Sequence, residues 1–374
     1  MKVLFYYPSN KQSNSLETLI EELSLNGIEI ILLTTCAKGA FHATLEEKGI
    51  KTYVNVINNK GVLYYLKQIY FLINFCRQNQ IDVVCSHLQH VNIISVFAQV
   101  FSRSRFIIFR HHFKFNVFSN DKRLKGNRTE AIFDKIINVL AKEIVVPSSG
   151  VYNGMINYEG VNKKKLSILP YIYNFEQYPE PDPETVVQIR NKYECNLLLL
   201  MCSRLILFKR HYLVFPVVKK LVEKGLDIKL VVLDEGPEKE NLQQYILDHN
   251  LQNHIFLLGF TTDFINYMGA CDLMIHPSLT EASNSAVKEM ALLKKAVAVC
   301  SQVGDFDDYI KDGENGFLIS PRDTEIFIEE VILTAYNNKG LLIKLGNNLY
   351  ETVMKEFNRS PKILNQYIDL IKRN

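Results

Sequence analysis

The chain has no long apolar run. No segment offers the roughly 18 uncharged apolar residues that a membrane-spanning helix needs, which excludes a helical span. The first apolar run, Val3 to Tyr7, stops at Pro8 and is too short for the core of a secretory signal. There is no Cys-x-x-Cys pair. The 7 cysteines are odd in number, and Cys85, Cys202 and Cys300 sit inside apolar runs, where a thiol acts as a small core residue. This argues against a disulfide framework or structural zinc and for a reducing, cytosolic setting. A net charge of +3 is too small to suggest nucleic-acid binding. No Gly-x-Gly-x-x-Gly opens a domain, which counts against a dinucleotide oxidoreductase, and there is no Gly-Lys-Ser/Thr phosphate loop. Short-period repeats and low-complexity tracts are also missing.

What is there is alternation. The 374 residues, 47% apolar and 22% charged, suffice for two domains of ordinary size. Short apolar runs predict strands at 2–6, 28–34, 52–56, 83–86, 106–109, 144–147 and 166–169, and again at 197–202, 228–233, 255–258, 273–275, 296–300 and 317–319. Amphipathic stretches such as 15–25, 63–77, 129–142, 211–223 and 324–337 lie between them. Continuous apolar strands separated by helices predict parallel sheets covered on both faces. Pro170, Pro179, Pro181 and Pro183 mark a linker, so the fold class is α/β with two doubly wound domains meeting near residues 172–186. Ligands in such sheets bind beyond the carboxyl ends of the strands, and two such ends facing each other make a cleft.

The most informative segment is HPSLTEASNSAVKEMALLKKAVAV, residues 276–299. An apolar run ends at His276-Pro277-Ser278, a short polar turn follows, and a helical pattern opens near Asn284. Glu281 stands before that helix and Glu289 inside it. At i−3, i+3 and i+4 from Glu289 lie Ala286, Leu292 and Leu293, so its carboxylate shares an apolar face. A carboxylate there is costly unless something hydrogen-bonds to it. Vicinal hydroxyls would do so, and the adjacent helix N-terminus would hold an anion. The combination suits a sugar nucleotide. Arg204, Lys209 and Arg210 follow the strand 197–202 and are placed to neutralise a diphosphate, or else form a solvated basic loop. His87 ends another strand, with His90, Arg110, His111 and His112 nearby, and can polarise a substrate hydroxyl or serve structure alone. The stretch 101–128 mixes eight cations with Phe106, Phe109, Phe113, Phe115 and Phe118 and only one acid, Asp121; it suits an anionic membrane surface, against the plainer reading of a solvated loop with core phenylalanines. Asp305-Phe306-Asp307 spells a metal-binding string but has no further ligands, and Asp234-Glu235-Gly236-Pro237 reads as a turn into the next helix.

On these residues the chain resembles the retaining nucleotide-sugar glycosyltransferases of family 4, which have the GT-B fold of two facing Rossmann-like domains. The likeness is strongest over about 197–323: Arg204 with Lys209, DEGP, LLGF, YMGACDLMIHPSLTEASNSAVKEMA and IKDGENGFLISPRD. In the first half it rests on strand-helix order and SHLQH, and FNRSPKILNQYIDLIKRN resembles the family's terminal helix. The resemblance implies an N-terminal acceptor-side domain over 1–178, a nucleotide-sugar-binding domain over 179–353 and a helix, 354–374, that returns to the first domain. It implies that Arg204 and Lys209 bind the donor diphosphate, Glu289 the ribose and Glu281 the transferred sugar. Asn284 and Ser285 would offer backbone amides, Gly259 and Phe260 would lie near the base, and His87 near the reacting sugar. Asn14, Ser15 and His111 would stand on the acceptor side. Transfer would retain anomeric configuration and use no metal or cofactor beyond the nucleotide-sugar donor. The acceptor would be a glycan or a polyprenyl-linked carrier, in assembly of a bacterial surface polysaccharide such as capsule or lipopolysaccharide, or of a glycolipid. The protein would be cytoplasmic and peripheral on the inner face of the membrane through 101–128. Departures from the family pattern are Ala282 and Ser283, where glycine and an aromatic are usual, Asn14 and Ser15 in place of a glycine pair, and Asp305 beside Gly304, where a second glycine is common. They keep open a catalytically silent nucleotide-sugar-binding protein; the alternative within enzymes is a nucleotide-sugar epimerase of the same fold.

Overall fold

The structure is a computed structural model and describes residues 1–58, 60–112 and 128–373. It divides into two compact units, one of residues 1–174 with 357–374, the other of residues 175–356. Both are α/β. The resemblance had placed the divisions at 178 and 353; in the structure Tyr178 belongs to the second unit, where it lies beside Glu289.

Among its described residues the first unit holds seven strands: β1 (Lys2–Tyr7), β2 (Glu29–Thr34), β3 (Lys51–Val54), β4 (Val83–His87), β5 (Arg105–Phe109), β6 (Ile144–Val146) and β7 (Leu166–Ile168). They pair in the order β3-β2-β1-β4-β5-β6-β7, every pairing parallel. Val3 to Tyr6, Ile30 to Leu33 and Val83 to Cys85 are buried because helices cover both faces, which is why these strands read as unbroken apolar runs. The helix Pro361–Lys372 completes this unit. It opens with proline at a first-turn position and buries Ile363, Leu364, Tyr367, Leu370 and Ile371, a helical stripe. Tyr367 donates to the Pro170 carbonyl (3.2 Å), and Arg105 donates to the carbonyls of Leu370 (2.5 Å) and Ile371 (3.3 Å), capping the helix end.

The second unit holds β8 (Leu197–Cys202), β9 (Ile228–Leu233), β10 (Ile255–Gly259), β11 (Leu273–His276), β12 (Ala296–Cys300) and β13 (Phe317–Ile319), paired in the order β10-β9-β8-β11-β12-β13, again all parallel. In both sheets the chain starts centrally, builds one flank, then crosses to build the other. The switch falls between β1 and β4 in the first and between β8 and β11 in the second. Ligands of open α/β sheets bind at such switch points, beyond the carboxyl ends of the strands.

Of the basic-aromatic stretch, residues 113–127 and the side chain of Arg128 lie outside the described residues. The described part is divided: Phe101 and Arg103 are exposed, while 106–110 is interior. Phe106 and Phe109 are core residues, Arg105 caps the terminal helix, and Arg110 pairs with Asp134 (3.3 Å) and Glu159 (3.2 Å) while almost wholly buried.

Candidate active site

The two loops at the second switch point are joined. After β8 the chain runs through Arg204 and the short turn Leu207–Lys209 into the helix His211–Glu223. After β11 it runs through Pro277 to Asn284 and into the helix Ser285–Leu292. The Leu279 amide donates to the Phe208 carbonyl (2.9 Å), so one loop fixes the other. Across the same junction Lys209 Nζ donates to Glu281 Oε1.

Glu281 Oε1 also lies 2.7 Å from His276 Nε2, which donates to it; His276 is the last residue of β11 and is buried. Burial would raise the Glu281 pKa, but the His276 hydrogen bond and the Lys209 charge outweigh it and hold the carboxyl far below the usual range. Glu281 is therefore a fixed anion. Its Oε2 takes no hydrogen bond among the described residues and remains available to a ligand. Burial lowers the His276 pKa despite Glu281, and burial lowers His211 to about 3, so both imidazoles are neutral near pH 7.

Arg204 is exposed, and its guanidinium makes no hydrogen bond or ion pair among the described residues. Arg210 differs, and here the sequence expectation needs correcting. It is buried, its backbone is left-handed (φ 56°), and it donates to the carbonyl of Pro277 (2.7 Å) and contacts Cys300 Sγ (2.9 Å). It braces the junction from within and offers nothing to a phosphate.

Asn284 caps the helix Ser285–Leu292, its side chain accepting from the Val287 amide (3.0 Å). The Ser285 and Ala286 amides have no acceptor within the helix and can meet an anion. Glu289 sits one turn further on. It takes no hydrogen bond or ion pair among the described residues, and burial raises its pKa to about 7. It projects towards β8: after burial, its charge is the main influence raising the Cys202 thiol to about 12. Gly259 ends β10 at φ 77°, in the left-handed region that favours glycine. Phe260, next in sequence, is 72% exposed. The DEGP turn leads into the helix Lys239–Asp248 and packs on the Arg204 loop: Gly236 has no room for a Cβ against the Leu205 backbone, and the Leu205 amide donates to Glu235 O (2.9 Å).

Sequence reasoning missed one network. Lys288, 1% exposed, donates to Asp305 Oδ2 (2.7 Å) and Ser283 Oγ (2.9 Å), and Ser283 donates to the same Asp305 oxygen (2.6 Å). It ties the turn between the two glutamates to the loop after β12. Asp305, the first acid of the metal-like string, is thus held by a lysine. The only sequence signal was a lysine beside Glu289 in the otherwise apolar run Val287 to Leu293.

In the first unit, His87 ends β4 and is buried, stacked on Phe109 with ring centroids 4.1 Å apart. Its Nδ1 lies 3.3 Å from His111 Nε2, and His111 Nδ1 meets the Tyr171 hydroxyl. Burial, then the neighbouring His111, lowers the His87 pKa, and His87 Nε2 is buried without a hydrogen-bond partner among the described residues. Asn14 exchanges two hydrogen bonds with the Asn174 backbone (3.0 Å each), fastening the start of the helix Asn14–Leu25 to the end of the unit. Ser15 follows it, 3.5 Å from the Ser13 hydroxyl.

Residues 12–176 match the family model described as Glycosyltransferase Family 4, and residues 183–352 match Glycosyl transferases group 1. An uncharacterized glycosyltransferase of Methanocaldococcus jannaschii is 23% identical over 74% of this chain and 71% of its own length. The N-acetylgalactosamine-N,N'-diacetylbacillosaminyl-diphospho-undecaprenol 4-alpha-N-acetylgalactosaminyltransferase of Campylobacter jejuni is 24% identical over 69% of each. The fold matches the crystal structure of Anabaena HepE in complex with UDP, with a TM-score of 0.78 at 19% identity over 99% of both chains.

Proposed function

This chain belongs to the glycosyltransferases of family 4 and group 1, and from that premise we propose that it moves a sugar from a nucleoside-diphosphate donor to a lipid-linked or glycan acceptor, with retention of configuration and without a metal ion. The observation that carries the reading is the second switch point: an unengaged arginine, a lysine, a helix N-terminus and a carboxylate lacking a partner converge beyond two neighbouring strands. Arg204 and Lys209 would neutralise the diphosphate. The Ser285 and Ala286 amides would meet phosphate or sugar, and Glu289 would accept hydrogen bonds from the ribose hydroxyls. Glu281, pinned through Oε1, would present Oε2 to a hydroxyl of the transferred sugar.

Departure of a nucleoside diphosphate builds negative charge on the leaving oxygens while the sugar becomes cation-like. Fixed positive groups aimed at that oxygen lower the barrier most. Cations and a helix end supply here what a metal ion supplies elsewhere. The HepE structure contains UDP, and the Campylobacter relative is named for an undecaprenol-linked acceptor; these support a uridine nucleotide and a polyprenyl-linked acceptor in surface-glycan assembly. His87, at the end of β4, would polarise an acceptor hydroxyl or contact the reacting sugar.

The test is turnover of the Arg204→Ala variant with nucleotide-sugar donors, alongside the melting midpoint without ligand. A loss of about 100- to 1,000-fold in rate with an unchanged midpoint is expected. Near-normal turnover would remove the diphosphate assignment. Proton NMR of the product should show the donor's anomeric configuration, and a chelator should leave the rate unchanged.

A further inference from the structure

Asp305 stands in the loop after β12, and its carboxylate is almost wholly buried. Both of its side-chain donors converge on one oxygen. Oδ2 accepts from the Lys288 ammonium and from the Ser283 hydroxyl, while Oδ1 is buried with no hydrogen-bond partner among the described residues. The ammonium is further enclosed by the Tyr309 ring, 4.8 Å from its centroid. An unmet carboxylate oxygen in the interior costs stability. A buried ion pair can itself often be replaced by apolar residues without loss. Stability alone therefore does not account for this arrangement.

What the carboxylate holds is the sugar-side turn. Ser283 comes two residues after Glu281, and Lys288 lies in the first turns of the helix Ser285–Leu292, so one oxygen clamps the chain on both sides of its cap, Asn284. The same loop backs Glu281 directly. A Cβ on Gly304, whose φ is 56°, would stand 2.8 Å from Glu281 Cβ and 3.2 Å from its carbonyl carbon. The loop is itself anchored: the Ser301 amide donates to the Ile319 carbonyl (3.0 Å), and the Gln302 amide to Asp307 Oδ2 (2.5 Å). Glu281 is pinned at Oε1 by His276 and Lys209. With that end fixed, the direction of Oε2 depends on where the Glu281 backbone stands, and the loop carrying Asp305 decides this. An error of about 1 Å in a positioning group can cost on the order of a hundredfold in rate.

We infer that Asp305, acting through Lys288 and Ser283, is a positioning residue for sugar transfer: it aims Glu281 Oε2 at the transferred sugar and takes no part in gripping the diphosphate. This rests on the donor site proposed above. The test compares Ser283→Ala, Ser283→Thr and Lys288→Met/Asp305→Leu with wild type in the full chain. Calorimetry reads the Kd for UDP, which has no sugar to reach Glu281. Release of UDP reads kcat and KM with whichever of UDP-glucose, UDP-galactose and UDP-N-acetylglucosamine wild type turns over fastest. The kcat should fall about tenfold in Ser283→Ala and about a hundredfold in the double variant, with the Kd for UDP held within about threefold. Ser283→Thr keeps the hydroxyl and should turn over as wild type does. The double variant replaces the buried pair with apolar side chains and should keep its melting midpoint, so its loss is not one of folding. Should it fail to fold, the Ala and Thr variants decide, because they leave the Lys288–Asp305 pair in place. The inference is overturned if Ser283→Ala turns over normally, if Ser283→Thr is as slow as Ser283→Ala, or if UDP affinity falls in step with kcat. Wild type that does not bind UDP would bring down the uridine-donor reading and this inference with it. Normal UDP binding with undiminished turnover in Ser283→Ala sinks this inference alone.

Discussion

A carboxylate that burial has pushed up to about 7 changes charge near neutrality, and Glu289 is that group. Between the ordinary carboxylate pKa and 7 it is protonated in the fold and ionised in the unfolded chain. Its contribution to the ligand-free protein is therefore most favourable at low pH and is lost as pH rises through 7. Ligand binding has the opposite sign, because ribose hydroxyls donate best to the ionised form. The affinity for a nucleotide sugar, whose phosphodiester groups do not titrate here, should tighten from about pH 6 to pH 8. His211, lowered to about 3 by burial, is already neutral across that window and adds no slope, and burial lowers His276 as well. Isothermal titration of wild type and Glu289→Gln separates the contributions: the slope should vanish in the variant, and a persisting slope would assign it to another group. The Lys288–Asp305 pair makes a different prediction. Both are almost wholly buried, at 1% and 3% side-chain exposure, so Lys288→Met leaves Asp305 and Ser283 without their cation. A loss of about 3–5 kcal/mol is expected by chemical denaturation, largely recovered in Lys288→Met/Asp305→Leu. A cost under about 1 kcal/mol would mean that the pair does not hold the turn.

Among the elements, the helix Ser285–Leu292 depends on its cap, Asn284. Its eight residues are too few to hold a helix by propensity. Asn284→Ala should cost about 1 kcal/mol of stability and weaken nucleotide binding, whereas Asn284→Asp should keep the cap and lose affinity through like charge beside the phosphates. Urea titration and calorimetry read the two effects separately. Elements also differ in how far the chain announced them. All thirteen strands among the described residues stand within a residue or two of where apolar runs predict them; the central ones are continuously apolar because a parallel strand buried on both faces has to be, whereas the edge strand β3 is mostly exposed. The helix Gln89–Ala98 gave no such signal. Seven of its ten residues are buried, so no 3.6-residue alternation is left to find. Pro183 looked like part of a linker, yet it is the first residue of the helix Pro183–Lys192, capped by Asp182, a position where proline's missing amide proton costs nothing. His87 and His276 were visible as strand-end histidines. Their consequences were not, because these depend on what burial and the next strand bring beside them.

At the scale of the whole chain, the residues of the candidate site were legible and their assembly was not. Lys209 and Glu281 are 72 positions apart and meet only because β11 pairs with β8, a fact of strand order that local pattern cannot carry. The same order makes a spatial prediction. The cavity lined by Arg77 and Arg103 in the first unit, and one of about 490 Å³ lined by Asp272, Lys295 and Lys339 in the second, both lie at the amino ends of strands, where no switch-point ligand belongs. A saturating nucleoside diphosphate stabilises what it binds by about 2.7 kcal/mol at a hundred times its Kd. Amide hydrogen exchange should therefore slow by up to about a hundredfold at the carboxyl ends of β8 and β11, over Ser203 to Lys209 and Leu279 to Val287. Amides lining the two amino-end cavities should exchange as before. In Arg204→Ala the protected segments should be the same, with the concentration needed for half protection raised, because that substitution weakens the grip without moving the site. Protection centred on either amino-end cavity would place the nucleotide at the wrong end of the sheet, and the switch-point assignment would fall with it.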